Sequence, residues 1–281
     1  MKTVWANNLV RNEERYLWYA VTSIIDYVDK VLIWDTGSSD NTPKIINLLK
    51  RKYKDKIEVN NYGEVTPDTF TKARQDMLEN TKSDWLLVLD GDEVWWEDSI
   101  KKVVRTINTE GDKLESIVNR YTNLVGDIYH YQSPTAGRYK IDETVGNISI
   151  RAINLKIPGL HLEKPHGQIG YYDKKGKLIQ DRDVGKRKHL DVEYLHFTHL
   201  PRSINIDNDR SVPKREKKLK HELGLNFPSD FYYPEAFFYK RPSVIPSPWE
   251  RMSKEFHTKS AVQTPLRAVK RKLITNEKVG Y

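Results

Sequence analysis

Three acidic residues follow an apolar run in residues 87–93, which read LVLDGDE. Asp90 and Asp92 are two positions apart, so on an extended chain their side chains point to the same side. Two carboxylates that converge at the end of a buried strand suit a hard divalent cation, Mg²⁺ or Mn²⁺, that bridges phosphate oxygens. Gly91 between them lets another group approach the backbone closely. The alternative is a polar turn in which Asp92 or Glu93 caps a helix, and we favour the metal hypothesis.

A second polar segment, WDTGSSDNT in residues 34–42, follows another apolar run. Asp35 ends this predicted strand, where it is placed to accept hydrogen bonds from a base or a ribose. One of residues 40–42 is expected to cap the following helix, which has Pro43 in its first turn. The segment is therefore predicted to be both a helix start and a nucleoside contact.

The elements that position these residues alternate between strand and helix over residues 1–100. The hydrophobic patterns predict strands at residues 3–7, 31–34, 57–61 and 85–89, and helices at residues 13–25, at 70–79 and near Pro43. Such alternation implies right-handed βαβ units and a mostly parallel sheet, in which ligands bind beyond the carboxyl ends of the strands. Later elements are expected to be strands at 116–120, 148–154 and 194–197 and one charged helix over 203–223. We therefore predict an α/β fold with a helical or irregular C-terminal extension.

The composition of the 281-residue chain excludes several classes of protein. Hydrophobic residues make up 38% and aromatic residues 11%, so the chain can bury a core and is not disordered. The absence of cysteine excludes a disulfide scaffold, a thiol nucleophile and a cysteine-based zinc site. No apolar run reaches the roughly 18–20 residues that cross a bilayer, and the first residues do not resemble a secretory signal. We therefore expect a cytoplasmic protein.

The net charge of +8 lies entirely in residues 201–281, since residues 1–200 carry equal numbers of acidic and basic side chains. This division predicts a neutral catalytic or binding domain over residues 1–200 and a basic, aromatic-rich extension over 201–281. A neutral main domain argues against nucleic-acid binding as the main function. The aromatic residues between 227 and 239 are expected to pack on the main domain. The extension is expected to contact an anionic membrane at its inner face, and a solvated tail without a partner is the alternative.

Four motifs occur in a fixed order along the first hundred residues. They are LVRNEE at residues 9–14, DTGSSDNT at 35–42, FTKAR at 70–74 and LVLDGDE at 87–93. This order and spacing resemble the nucleotide-sugar half of the inverting glycosyltransferases of family two, which have the GT-A fold, and in particular small bacterial enzymes that act on lipopolysaccharide cores. The resemblance covers residues 3–100 well and 148–200 weakly. It implies a Rossmann-like sheet flanked by helices, a nucleoside-diphosphate sugar as donor, Mn²⁺ or Mg²⁺, and a glycan or lipid-linked acceptor.

The resemblance also implies roles for individual residues. Those at the nucleotide sugar would be Leu9, Val10, Arg11 and Glu13 around the base, Asp35 at the base or ribose, Arg74 near the diphosphate, and Asp90 with Gly91 at the ribose or the metal shell. Asp92 would coordinate the metal as part of a DxD motif together with Asp90, and His196 would supply a further ligand while His199 faces away. The alternatives are an ordinary surface ion pair for Arg74 and a histidine bonded to the backbone for His196.

The general base is the least defined part of the expected site. Members of the family often carry an arginine-led strand and a His-Glu pair on the acceptor side. Residues 149–153 fit the strand, but the pair position reads His166-Gly167, so the expected carboxylate is missing. The candidates for the base are Glu163, His166 and Asp191, with Asp142 and Glu143 also open, and a plain loop histidine is the alternative for His166.

The expected reaction is metal-dependent glycosyl transfer with inversion. The cation and Arg74 would offset charge on the departing diphosphate while the base deprotonates the acceptor hydroxyl. One alternative is a phosphatase of the haloacid-dehalogenase type, in which Asp90 would be the nucleophile. Another is a non-catalytic module that binds nucleotide sugars or glycans, which the missing carboxylate after His166 keeps open.

Overall fold

The computed structural model describes residues 1–273 and 278–279. Its strands are β1 (Val4–Val10), β2 (Lys30–Asp35), β3 (Ile57–Asn61), β4 (Trp85–Val88), β5 (Glu93–Trp95), β6 (Ser116–Val125), β7 (Asp127–Tyr131), β8 (Tyr139–Ile141), β9 (Thr144–Gly146), β10 (Ile148–Asn154), β11 (His161–Glu163), β12 (Gly170–Tyr172), β13 (Arg187–His196), β14 (Leu225–Asn226) and β15 (Lys278–Val279). Its α-helices are α1 (Leu17–Ile24), α2 (Thr42–Tyr53), α3 (Phe70–Glu79), α4 (Glu97–Glu110), α5 (Ile206–Arg210) and α6 (Lys254–Leu273). None of the helices in residues 1–273 combines the length and the apolar character that crossing a membrane requires.

The first four strands form the parallel part of the sheet, in the order β3-β2-β1-β4. The apolar residues of β2 and β4 are buried on both faces, as expected of strands that are covered by helices on each side, whereas the edge strand β3 is largely exposed. The predicted strand–helix alternation is confirmed here. Asn41 occupies the N-cap position of α2, as one of residues 40–42 was expected to do, and Asp40 before it accepts a hydrogen bond from the backbone nitrogen of Thr42 at 2.8 Å.

The rest of the main sheet is mixed. β10 lies antiparallel to β4 and to β6, and β13 pairs in parallel with β6 and antiparallel with β5. This last pairing sets His196 opposite Glu93. A strand from late in the chain is therefore joined to the acidic turn that follows β4.

Two layers of apolar side chains cover the faces of the sheet. The larger core joins α1, α2 and α4 to one face, and its largest fully buried side chains include Trp85, Trp95, Tyr194 and Phe197. A second cluster on the other face holds Leu78 of α3 and residues between 141 and 179. Burying each large apolar side chain contributes about 1.5–3 kcal/mol, so these layers hold the strand ends rigidly.

The C-terminal region differs from the expected single helix over residues 203–223, and that prediction is wrong. The helix α5 ends at Arg210, Pro213 follows without a backbone N–H, and Lys214 has a left-handed φ of 64°. Farther along, the buried Phe237 belongs to the main core, and Phe227, Phe231 and Tyr233 pack against it. The prediction that this aromatic stretch packs on the body is confirmed.

Candidate functional site

A cavity of about 390 Å³ opens at the carboxyl ends of β1 and β4. Among its walls are Val10, Arg74, Asp90, Asp92, Arg151 and Arg215. They come from β1, α3, the turn after β4, β10 and the segment after α5. The cavity therefore lies where a parallel sheet is expected to bind its ligand.

Gly91 packs directly against the side chain of Glu13. A Cβ atom at this position would lie 2.9 Å from Cγ of Glu13 and 3.2 Å from Cγ1 of Val10. Any side chain here would push the β1 loop away from the acidic turn. The glycine thus admits a neighbouring part of the protein, where the sequence predicted only a close approach of some group.

Asp90 is held by two arginines. Arg74 lies 2.7 Å and Arg151 3.4 Å from its carboxylate oxygens. Burial opposes ionisation of this carboxyl, but the charges of Arg74 and Arg151 outweigh it and hold the pKa of Asp90 below its usual value. Arg151 also pairs with the fully buried Glu93, whose pKa burial raises to about 8 despite that contact.

Asp92 is almost completely buried and faces Arg202 at 2.8 Å and Nε2 of His196 at 3.4 Å. Burial opposes its ionisation, yet these two partners hold the pKa of Asp92 below its usual value. The contacts lack hydrogen-bond geometry, so both carboxylate oxygens have no hydrogen-bond partner among the described residues. A buried carboxylate in this state is ready to accept a stronger partner.

Glu13 bridges the acidic turn and the C-terminal segment. Its Oε1 atom lies 2.8 Å from Arg202 and 2.6 Å from Arg215. Burial exceeds the effect of these cations and raises the pKa of Glu13 to about 7. Arg215 also lies 3.2 Å from the buried Asp209.

Asn12 joins three loops at the rim of this site. It is fully buried with a left-handed φ of 54°, and its Oδ1 accepts a hydrogen bond from the backbone nitrogen of Ser39 at 2.7 Å. Its Nδ2 donates to the carbonyl of Asn208 at 2.9 Å, and its own carbonyl accepts from Arg215 at 2.6 Å. The loop after β1, the start of α2 and the C-terminal segment are thereby tied together.

The cavity carries an excess of cations suited to an anionic ligand. Besides the four arginines named above, Arg11, Lys214 and Lys218 line it. Within the described part of the chain no carboxylate lies within 4 Å of the Lys218 amine. Burial and Arg202 lower the pKa of Lys218. A phosphate group entering the cavity would be a strong, charged hydrogen-bond acceptor for this amine.

The residues expected to hold a divalent cation line this cavity without converging on one point. Asp90 faces Arg74, whereas Asp92 and His196 face each other. In residues 1–273 and 278–279, no group of three His, Asp or Glu side chains is arranged as a metal site. The donor chemistry of Asp92 and His196 nonetheless fits a cation, because the carboxylate oxygens and Nδ1 of the imidazole are buried without hydrogen-bond partners in those residues. Such a cation would compete with Arg202 for Asp92.

The two histidines near the end of β13 have different surroundings. His196 lines the cavity beside Asp92, and burial lowers its pKa. His199 lies after the strand, where its Nδ1 is 2.8 Å from the carbonyl of Lys218 and its Nε2 is 2.9 Å from Lys220. The structure thus brings only His196 to the acidic turn.

Of the expected nucleotide contacts, Leu9, Val10, Arg11, Glu13, Arg74, Asp90 and Gly91 all line the cavity. Asp35 ends β2 beside them but does not line the cavity, although its neighbour Thr36 does. The backbone nitrogen and hydroxyl of Ser38 donate to its carboxylate at 3.2 and 2.5 Å, and burial raises the pKa of Asp35. Asp35 therefore has a polar partner already and remains a predicted nucleoside contact.

The candidate bases lie in different places. His166 lines the cavity, with its ring edge on Phe70. Glu163 lies on β11, where it accepts from His161 at 2.7 Å, and Asp191 is 92% exposed beside Arg120. Neither carboxylate lines the cavity. Asp142 is engaged by Arg187 and His189, and neither it nor Glu143 lines the cavity.

Four cations that line the site were missed in the sequence: Arg202, Lys214, Arg215 and Lys218. They come from the segment assigned to a separate extension, so the expected boundary at residue 200 runs through the wall of this cavity. The one available signal was that the basic excess begins at residue 202. Arg151 lies on a strand whose resemblance was noted, but no role was assigned to it.

Comparison with known proteins places this geometry in context. Residues 9–162 match the family described as Glycosyl transferase family 2. A TPR repeat-containing protein of Synechococcus elongatus is 34% identical over 85 residues, which is 30% of this chain and 19% of that protein.

Two solved structures are also similar. TarS residues 1–349 of S. aureus cover 70% of this chain and 60% of their own at 14% identity and a TM-score of 0.43. The mannosyltransferase PcManGT from Pyrobaculum calidifontis, solved with GDP-Man and Mn²⁺, covers 70% of this chain and 57% of its own at 12% identity and a TM-score of 0.45. The chain thus spans less than two thirds of each of these relatives.

Proposed function

The chain belongs to glycosyl transferase family 2, and from that premise we propose that it transfers a sugar from a nucleoside-diphosphate sugar to a hydroxyl of a glycan or lipid-linked acceptor. The observation that carries this proposal is the cavity in which Asp90 and Asp92 lie among an excess of arginine and lysine. A diphosphate is an anion that such cations would bind. The family match removes the phosphatase alternative, and the pairing of Asp90 with two arginines gives it no support as a nucleophile.

The donor would lie with its diphosphate toward Arg74 and Lys218. Both side chains line the cavity, and Arg74 also packs its guanidinium over the ring of Phe70 at 5.2 Å. The nucleoside would lie along the loop from Leu9 to Glu13, with Asp35 contacting the base or ribose. In this orientation the cations stabilise the diphosphate leaving group, and the backbone of the loop contacts the nucleotide base.

Asp92, His196 and Asp90 would hold Mn²⁺ or Mg²⁺. A cation held by these residues would supply positive charge that offsets the charge of the departing diphosphate. Asp92 is suited to bind a cation because its buried carboxylate is ionised, its pKa being held down by Arg202 and His196. Asp90 would contact the cation while its other carboxylate oxygen pairs with Arg74, which lines the cavity.

His166 would accept the proton of the acceptor hydroxyl, and the reaction would invert the sugar. Burial and the neighbouring charges of Lys218, Lys214 and Arg74 lower the pKa of His166 to about 4, so the ring is neutral near pH 7. A diphosphate would neutralise the same cations and raise this pKa, which makes His166 a stronger base when the donor is bound.

The test is hydrolysis and transfer from a panel of UDP- and GDP-sugars with Mn²⁺, comparing the unaltered chain with Asp92→Asn and Asp98→Asn. Asp98 is 96% exposed at the start of α4 and provides a matched control. We expect turnover by the unaltered chain and the control and its loss in Asp92→Asn. Binding of nucleotide sugars without turnover of any acceptor or water would instead favour the non-catalytic module.

We further propose that the C-terminal region contacts an anionic membrane surface. Its net positive charge supports this contact.

A further inference from the structure

The helix α6 directs polar side chains toward the body of the protein and large aliphatic side chains toward solvent. Its polar side chains face the body: Ser260 is fully buried, and the hydroxyl of Thr264 accepts a hydrogen bond from the backbone nitrogen of Leu223 at 3.0 Å. Arg267 donates to the carbonyl of His221 at 3.1 Å, and Arg271 donates to Glu222 at 2.5 Å. The helix is therefore attached to the body by hydrogen bonds and an ion pair.

The opposite side of α6 carries its large aliphatic residues. Val262, Leu266, Val269 and Leu273 are 66%, 66%, 57% and 78% exposed. Their spacing of four, three and four residues places them along one line of an α-helix. Leaving four such side chains in water has a hydrophobic cost that a binding partner would remove.

Basic residues accompany this apolar line. Within α6, six lysines and arginines stand against one acidic residue, Glu255. Lys259 and Lys270 are exposed and lie beside the line, three and four residues from Val262 and Leu266. Because the helix is positively charged along its length, a second copy of the same helix would repel it, whereas an anionic surface would attract it.

We propose that α6 binds the surface of an anionic lipid bilayer, with the line from Val262 to Leu273 in the acyl boundary and the lysines at the headgroups. A helix with an apolar face and flanking lysines is the form that lies in a membrane interface. The inference deepens the membrane contact proposed above and is independent of the transfer reaction. Docking through Ser260, Thr264, Arg267 and Arg271 keeps the apolar line pointed away from the body.

The test is co-sedimentation of the full chain with vesicles of phosphatidylcholine alone and of an equal mixture of phosphatidylcholine and phosphatidylglycerol. We compare the unaltered chain with Leu266→Gln/Val269→Gln, with Lys259→Gln/Lys270→Gln, and with Val184→Gln. Val184 is 59% exposed on a short 3-10 helix (Val184–Lys186) far along the sequence from α6 and serves as the matched control. Both altered sites in each double variant are exposed, and circular dichroism with a thermal unfolding curve verifies that each variant is folded.

We expect binding to the anionic vesicles only, weakened about tenfold or more by either double variant and unchanged by Val184→Gln. Added salt should release the protein. Binding that is absent, equal on both vesicle types or indifferent to both double variants would overturn the proposal. Self-association in the absence of lipid that Leu266→Gln/Val269→Gln abolishes would also overturn it, because it would assign the line to a second copy. None of these results depends on whether the chain transfers sugar.

Discussion

The acidic and cationic walls of the cavity are built in different ways. The acidic wall is the turn after β4, which regular hydrogen bonding and the packed sheet fix in place. The cationic wall is an irregular segment from Arg202 to Lys218, which is held by the buried Asp209 and by Asn12 and Glu13. The carboxylates are therefore positioned by the fold, whereas Arg202 and Arg215 are positioned by ion pairs with other residues of the site.

The largest effect is expected from the acidic wall. Asp92→Ala should abolish transfer and metal-dependent nucleotide binding, because both oxygens of the buried Asp92 carboxylate lack a hydrogen-bond partner in residues 1–273 and 278–279. Thermal unfolding of the variant should remain cooperative, since β4 and its core are untouched. Isothermal titration that finds unchanged Mn²⁺-dependent affinity for a nucleoside diphosphate would contradict the assignment.

The cationic wall should be destabilised when Asp209, which binds both Arg202 and Arg215, is removed. Asp209→Ala should lower the free energy of unfolding by about 3–5 kcal/mol, because it leaves Arg215 buried without one carboxylate partner. Nucleotide affinity should fall with it, since Arg202 and Arg215 lose their positions. Urea titration checks the first effect, and Asp207→Ala, which is 73% exposed on the same short helix, is the control. Equal stability of the two variants would mean that other contacts hold the segment.

Lys218→Met should weaken nucleoside-diphosphate binding about tenfold or more, because a charged hydrogen bond to phosphate is lost. Nucleoside binding without phosphates should not change. Lys217→Met removes an exposed charge from the neighbouring position. Comparing the two variants separates a direct contact between Lys218 and phosphate from the general electrostatic attraction of the positively charged wall. Equal losses in both variants would show that the wall acts only through its summed charge.

Asp35→Ala tests a contact next to the walls. It should weaken nucleoside-diphosphate binding by about 1–3 kcal/mol even without metal, because Asp35 is predicted to accept hydrogen bonds from the base or ribose. Titrations with and without Mn²⁺ measure this, with the exposed Asp26→Ala as control. A loss that occurs only in the presence of metal would place Asp35 in the metal shell.

The smallest effect expected is on the titration of His166. Its pKa of about 4 in the free protein should rise when UDP binds, since UDP neutralises Lys218, Lys214 and Arg74. NMR of the imidazole protons measures the shift, and Lys218→Met should raise the pKa without any ligand. If His166 is the base, the transfer rate should fall as the pH drops through the pKa that His166 has in the complex with the donor. A transfer rate in His166→Gln equal to that of the unaltered chain would exclude it.

The sequence predicts the acidic wall because local patterns determine it. An apolar strand, a glycine and two aspartates two positions apart are visible within seven residues, and His196 follows from the resemblance. The cationic wall was not predictable in this way, because Arg202 and Arg215 reach Glu13 across about two hundred residues of chain. The expected helix over 203–223 failed for the same reason: the long-range contacts of Asp209 prevail over local helical preference.

Asn12 has a consequence for recombining this chain with its relatives. Its backbone and side chain are bonded to Ser39, Asn208 and Arg215, so one residue depends on partners from both ends of the site. A chimera with a crossover near residue 200 would unite an Asn12 loop from one parent with a 202–218 segment from another. Unless both pieces come from the same parent, buried hydrogen-bond donors and acceptors of the hybrid protein lose their partners. Donor-specificity exchange should therefore transplant the two pieces as one unit, although they are far apart in sequence.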